Sequence, residues 1–246
     1  KTYASDRYPE VVVSVRPDES RMAYYESYPL YFSGGDVLTS FYHHAVQPMS
    51  EGVCSSVYPV LRRAIEGKSE VDAVNILLNF VQTAFRYGYD DVVWGKERYF
   101  YADEIWGYEF SDCEDRSMLL SRLVKDLLGL EVALVYWPGH LSCAVRFNTA
   151  VAGAAFLADG KTYVSCDPTF IGAGVGAVMP DVKAKATAGS DQERWVGKAT
   201  EVEKEEVKAE LPKEMTITQE MRQEGYDNKT TTDDHGMHIY GTAVDQ

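Results

Sequence analysis

The stretch Ser111-Asp112-Cys113-Glu114-Asp115-Arg116, continued through Met118, Leu119, Leu123, Val124, Leu127 and Leu128 to Gly129, decides the fold. Ser111 and Glu114 form an S-x-x-E capping box, and the leucines and Val124 recur at helical spacing until a glycine stop. The segment Glu131 to Tyr136 then reads as a strand, Trp137-Pro138-Gly139 as a turn, and His140 to Phe147 as a second strand. Asp159-Gly160 predicts a hairpin between strands near Ala155–Leu157 and Thr162–Cys166. A helix followed by antiparallel strands is an α+β pattern, with the helix packed on the sheet.

That frame carries a chemical set. Cys113 opens the helix, His140 opens a strand, and Asp167 in Cys166-Asp167-Pro168-Thr169 ends another. A thiolate needs help to form, because free cysteine titrates near a pKa of about 8.5. A first-turn position supplies the positive end of the helix dipole, and a nearby imidazolium would lower the thiol further. First-turn N–H groups also offer an oxyanion hole. Against this, Asp112, Glu114 and Asp115 flank the thiol and raise its pKa wherever they face it. Taken singly, each of the three residues reads as structural: a buried small thiol, a turn histidine, a turn aspartate. Only their combination points to acyl transfer through a cysteine.

Working outward, Ser69 caps an earlier helix with Asp72 three residues on, and Val74, Leu77, Leu78, Val81 and Phe85 form its apolar face. Gln82 shares that face, so its amide needs buried partners, one candidate being a substrate carbonyl. A shorter helix is expected from Pro59 to Gly67. Residues 1–50 read as strand-rich, from Val11-Val12-Val13-Ser14-Val15 and the turn at Arg16-Pro17-Asp18-Glu19. The aromatic cluster Tyr24, Tyr25, Tyr28, Tyr31 and Phe32 is then expected to pack a β-layer. Residues 86–110, aromatic and acidic, are expected to lie as a long ordered loop over the site. The organisation expected is a β-rich segment 1–60 packed on the core, a catalytic core 61–180, and a charged extension 181–246.

Bulk properties narrow the partners. The 246 residues carry 24 basic and 38 acidic side chains, a net charge of −14, which argues against nucleic acid or an anionic membrane surface. No run approaches the roughly 18 apolar residues of a membrane span. The glycines Gly172, Gly174 and Gly176 lack the spacing and lysine of a phosphate loop. Four cysteines without a CxxC pair support neither a disulfide scaffold nor a structural zinc site. Cys143 and Cys166 are expected on the sheet face away from His140 and Asp167. If their strands are neighbours a disulfide is possible. With the Ala155–Leu157 strand between them it is not, and two free buried thiols are favoured. A polar start without Met suggests a processed chain, hence an extracytoplasmic leaning.

At Phe80-Val81-Gln82 through Tyr87, Asp112-Cys113-Glu114-Asp115-Arg116, Pro138-Gly139-His140 and Asp167-Pro168-Thr169 the chain resembles the transglutaminase-like superfamily of papain-like cysteine enzymes. It looks most like the bacterial transglutaminase-like cysteine peptidases, over about residues 70–180. The resemblance implies a papain-like core, with Cys113 as nucleophile, His140 as general base and acid, and Asp167 as orienter of the imidazole. It also implies an oxyanion-hole side chain near Gln82, and in some relatives calcium held by carboxylates beside the cysteine, here Asp112 and Glu114. Ser111 stands where the family often has Gly, and Leu141 where many relatives carry an aromatic. The reading expected is a hydrolase of peptide or amide bonds with a peptide or protein substrate and no cofactor. A cross-linking or deamidating transglutaminase uses the same residues. A non-catalytic peptide- or glycan-binding module is the rival from another class, and a metal site built from Cys113, His140 and Asp167 is a third.

Overall fold

The computed structural model describes residues 1–27, 37–158, 160–188, 200–201 and 239–242. Strands β1 (Thr2–Ala4) and β2 (Val12–Ser14) open the chain as an antiparallel pair, Tyr3 opposite Val13. Val11, Val13 and Val15 are buried while Val12 and Ser14 are exposed, the alternation of a one-sided strand.

Beyond this pair the strand-rich expectation for the N-terminal segment fails. Residues Glu19–Ser27, Val37–Val46 and Glu51–Ile65 are helices α1, α2 and α3. Pro17-Asp18-Glu19 starts a helix instead of turning between strands, because Asp18 Oδ1 accepts from the N–H groups of Ser20 and Arg21 at 2.9 and 3.2 Å. Ser50 caps α3, so Pro59 sits inside that helix and not at its start. Tyr24 and Tyr25 therefore lie on α1. Tyr25 packs against the Tyr101 ring at 5.1 Å and donates to Asp103. Tyr28, Tyr31 and Phe32 lie outside the described residues.

Helix α4 (Glu70–Ala84) begins at the expected cap, with Asp72 N–H donating to Ser69 Oγ at 3.1 Å. The 86–110 segment carries β3 (Arg86–Tyr87), α5 (Asp90–Val93), a 3₁₀ turn (Ile105–Gly107) and β4 (Phe110–Ser111), which pairs parallel with β3. Phe100, Ala102, Ile105 and Trp106 from this segment are fully buried, so it builds core as well as cover. Helix α6 (Cys113–Leu128) ends at Gly129, whose φ of 66° is the left-handed conformation that glycine adopts without Cβ strain.

Strands β5 (Glu131–Trp137), β6 (His140–Arg146), β7 (Ala154–Ala158) and β8 (Lys161–Cys166) come next, then helix α7 (Pro180–Ala188) and short strands β9 (Thr200–Glu201) and β10 (Ile239–Thr242). All pairings in the sheet are antiparallel, in the order β10-β5-β6-β8-β7-β9. Of the two arrangements left open for the Cys143 and Cys166 strands, the neighbouring one holds: β8, not β7, lies beside β6. Val164, Ser165 and Cys166 of β8 are buried and pair with Val145, Ala144 and Cys143 of β6. Leu119, Leu120, Leu123 and Val124 of α6 pack on Val132, Cys143, Val145 and Cys166 of the sheet and on Val74 and Leu77 of α4. Tyr3, Val13, Val57 and Leu61 belong to the same core, and residue 60 falls within α3. The opposite sheet face packs Val135, Trp137, Ala144, Phe156 and Tyr163 with Val182 of α7. The architecture is mixed α+β, and none of its described helices is long and apolar enough to cross a membrane.

Candidate active site

Cys113 is the first residue of α6, but its cap is one residue later than expected. Ser111 belongs to β4, and its Oγ accepts from Arg116 Nε at 3.1 Å. The box is formed by Asp112 and Asp115, with Asp112 N–H donating to Asp115 Oδ2 at 3.2 Å. Arg116 is fully buried and donates onward to the carbonyls of Gln82 and Phe85 at 3.1 and 2.7 Å. Those are carbonyls at the C-terminal end of α4, where helical partners run out. One guanidinium thus fastens α6 to α4.

The sheet brings the other two residues together. His140 opens β6 after the Pro138-Gly139 turn, and Asp167 directly succeeds β8, the neighbouring strand. His140 Nε2 meets Asp167 Oδ2 at 2.8 Å, with both side chains buried. Asp167 Oδ1 accepts from Thr169 N–H at 2.9 Å and Thr169 Oγ1 at 2.8 Å, so both carboxylate oxygens are used. Burial alone would raise this carboxyl, but the imidazole and Thr169 outweigh it and hold Asp167 below the usual carboxylate range.

Ser117 Oγ, one turn after Cys113, donates to the carbonyl of Leu141, the residue after His140, at 3.1 Å. Helix α6 is thereby docked at the start of β6. The thiol donates to Glu114 Oε2 at 2.9 Å and not to the imidazole. Burial, then Glu114 and Asp112, push Cys113 well above the ordinary thiol range. The helix terminus offers only about half a unit of positive charge. Two nearby carboxylates and desolvation outweigh it.

Gln82 has a use other than the expected one. Its buried side-chain amide N–H₂ faces the carbonyls of Asp167, Phe170 and Ala173 at 3.0, 2.8 and 3.1 Å, and its Oε1 accepts from Gly172 N–H. It pins the loop after Asp167, which leaves no donor to meet an oxyanion. Asn75 helps by accepting from Val175 N–H at 2.9 Å.

Three further acidic groups converge next to the thiol. Asp90, Asp112 and Asp115 are buried and each offers a carboxylate oxygen within 4.8 Å of the others. Asp90 accepts from Arg98 N–H and Asp115 from Phe100 N–H, whereas Asp112 Oδ1 is buried with no hydrogen-bond partner. Burial pushes Asp90 up to about 6; burial and the neighbouring carboxylates push Asp112 well above the ordinary carboxylate range. The expected pairing of Asp112 with Glu114 is thus replaced by a set that recruits Asp90 from α5, while Glu114 turns to the thiol. Asp90 and Arg116 are the site residues that sequence reasoning misses. The run Tyr89-Asp90-Asp91 marks an acidic segment, but nothing in its spacing locates it at α6.

Cys143 and Cys166 are opposite each other on β6 and β8 and face α6, the helix that carries Cys113, and not the far side of the sheet as expected. Both are free thiols, with Cys143 Sγ donating to Ser117 O at 3.2 Å and Cys166 Sγ to Val164 O at 3.5 Å. Neither a protein-family model nor a curated protein matches the chain, so the functional reading rests on the site itself.

Proposed function

We propose that this protein is a cysteine-dependent hydrolase of peptide or amide bonds, with a transglutaminase-like, papain-like core. The observation that carries the reading is the buried 2.8 Å contact of His140 Nε2 with Asp167, one residue from Leu141, whose carbonyl accepts from Ser117 Oγ of the Cys113 helix at 3.1 Å. With Nε2 engaged by Asp167, Nδ1 is the nitrogen left to take the thiol proton. The thiolate attacks the substrate carbonyl, and the resulting oxyanion is received by first-turn N–H groups of α6, that of Cys113 among them. The C–N bond breaks as the imidazolium protonates the departing amine. Water, deprotonated by His140, then cleaves the thioester, releasing the acid and restoring the thiol.

The resemblance also implies calcium, and the donor set fits a hard cation. Asp90, Asp112 and Asp115 would hold it. The three supply oxygen ligands, one of them an orphaned buried oxygen, and none has an ion pair among the described residues. Bound there, a divalent ion supplies positive charge beside the thiol, offsetting the carboxylates.

A second reading, a non-catalytic peptide-binding module, draws support from the Cys113–Glu114 contact, which stabilises the neutral thiol. The two separate experimentally. Release of new amino groups from a mixed peptide digest is expected with the wild type and lost in Cys113→Ala and His140→Ala. Equal release from all three proteins, or none from any, with and without calcium, would refute the hydrolase.

A further inference from the structure

We propose that Cys143 and Cys166 form a disulfide when the chain folds in an oxidising environment, a covalent bridge between the strand that carries His140 and the strand that leads into Asp167. The two cysteines are register partners of the antiparallel strands β6 and β8. Directly opposite residues of such a pair lie about 4.5–5.5 Å apart at Cα, inside the span of about 4.4–6.8 Å that a disulfide takes. Residues paired across a ladder also project to the same face, and here that face packs on α6. Of the other two cysteines, Cys54 lies on α3 and Cys113 opens α6, so this pair alone has its partner fixed by strand register.

In the reduced form the thiols donate to carbonyls, Cys143 to Ser117 at 3.2 Å and Cys166 to Val164 at 3.5 Å. S–H is a weak donor, so little is given up when those protons leave. Both side chains are fully buried. Burial pushes both thiols well above the ordinary range, and the Cys143 sulfur adds to the rise at Cys166. That has a kinetic consequence. Thiolate is the attacking species, so a folded reduced chain oxidises slowly and a folded bridged chain is reduced slowly. The bridge is therefore set while the chain folds, before α6 closes over the two strands. The two free thiols of this structure are the form that folds under reducing conditions.

The bridge falls where the site needs a rigid frame. Cys166 immediately precedes Asp167, and Cys143 follows His140 on β6. Joining them closes the segment that holds β7 into a covalent loop. This removes conformations from the unfolded chain and holds together the strands whose ends make the 2.8 Å His140–Asp167 contact. Neither thiol enters the proposed hydrolysis, so the bridge leaves the reacting groups as they are. The oxidant is a small disulfide such as oxidised glutathione. One cysteine thiolate attacks its S–S bond, giving a mixed disulfide and releasing one glutathione thiolate. The second cysteine thiolate displaces the other glutathione and forms the Cys143–Cys166 bond. Two electrons and the two protein thiol protons end on two glutathione thiols.

The test refolds the reduced, denatured full chain in two buffers, one with a mixture of reduced and oxidised glutathione and one with dithiothreitol. Free thiols are then alkylated with iodoacetamide in denaturant, and the digest is mapped by mass spectrometry without reduction. The expected result is a linked Cys143–Cys166 peptide from most molecules of the glutathione sample and from none of the dithiothreitol sample, with Cys54 and Cys113 alkylated in both. Calorimetry should show the bridged protein melting about 5–10 °C higher, a rise absent in Cys143→Ala. The wild-type map decides the pairing whether or not that variant folds. Cys143 and Cys166 recovered alkylated or bound to glutathione, or bridged to Cys54 or Cys113, overturns the pairing. A bridged protein that melts no higher than the reduced one overturns the fastening of the frame.

Discussion

Replacing Asp167 by Asn tests the His–Asp pair through both stability and rate. The carboxylate accepts three hydrogen bonds, from His140 Nε2, Thr169 N–H and Thr169 Oγ1. An asparagine oxygen can keep both Thr169 bonds, so the loss falls on the charged contact to the imidazole. Hydrogen bonds to a buried charge contribute about 1.5–3 kcal/mol, and a loss of about 2 kcal/mol is expected near neutral pH. The pH dependence has a definite sign. The folded Asp167 carboxyl lies below its unfolded value of about 3.9, so its contribution is present above about pH 4 and is lost as pH falls through the folded pKa. Urea denaturation of wild type and Asp167→Asn between pH 2 and pH 7 should show a gap that closes on the acid side. With the ring orientation lost, turnover should fall roughly 10³–10⁴-fold, the scale seen when the orienting carboxylate of a triad becomes an amide. Stability curves that stay parallel across the whole range, or turnover within a few-fold of wild type, would refute the reasoning.

Gln82→Leu leaves three loop carbonyls and the Gly172 N–H without their partner, and about 3 kcal/mol of stability loss is expected in the same denaturation assay. Gly176→Ala should cost about 2–3 kcal/mol, because φ is +88° and a Cβ would stand 2.7 Å from the Ala152 carbonyl. Calcium at about a hundredfold above its dissociation constant should raise the melting temperature by about 5–10 °C, and calorimetry of Asp90→Asn should show most of that rise gone.

Where a residue's partners are near in sequence, the pattern is readable. The α6 periodicity with its Gly129 stop, the Pro138-Gly139 turn and the Ser69 cap all obey local rules. The cap of α6 reads one residue early because two boxes overlap, Ser111 with Glu114 and Asp112 with Asp115. Pairing of β4 with β3 takes Ser111 out of contention, a long-range fact with no local trace. The N-terminal helices escape for a related reason. The valine strand at 11–15 favours β-structure for its neighbours, although Asp18 and Ser50 are ordinary helix caps. Cys113, His140 and Asp167 are legible as types in order, and the register of β6 beside β8 supplies the contact between His140 and Asp167. Illegible are Arg116 as a buried clamp, Asp90 joining a cluster 22 residues downstream, and Gln82 bonding backbone more than 80 residues away. Tertiary packing alone decides those.

Whether Cys113 is a nucleophile served by His140 is decided by trapping an acyl-enzyme with p-nitrophenyl acetate in calcium-containing buffer. A burst of nitrophenolate with acetylation mapped to Cys113, lost in Cys113→Ala and strongly reduced in His140→Ala, is the predicted result. Acetylation confined to the more exposed Cys54, or a Cys113 rate unchanged by His140→Ala, would contradict it.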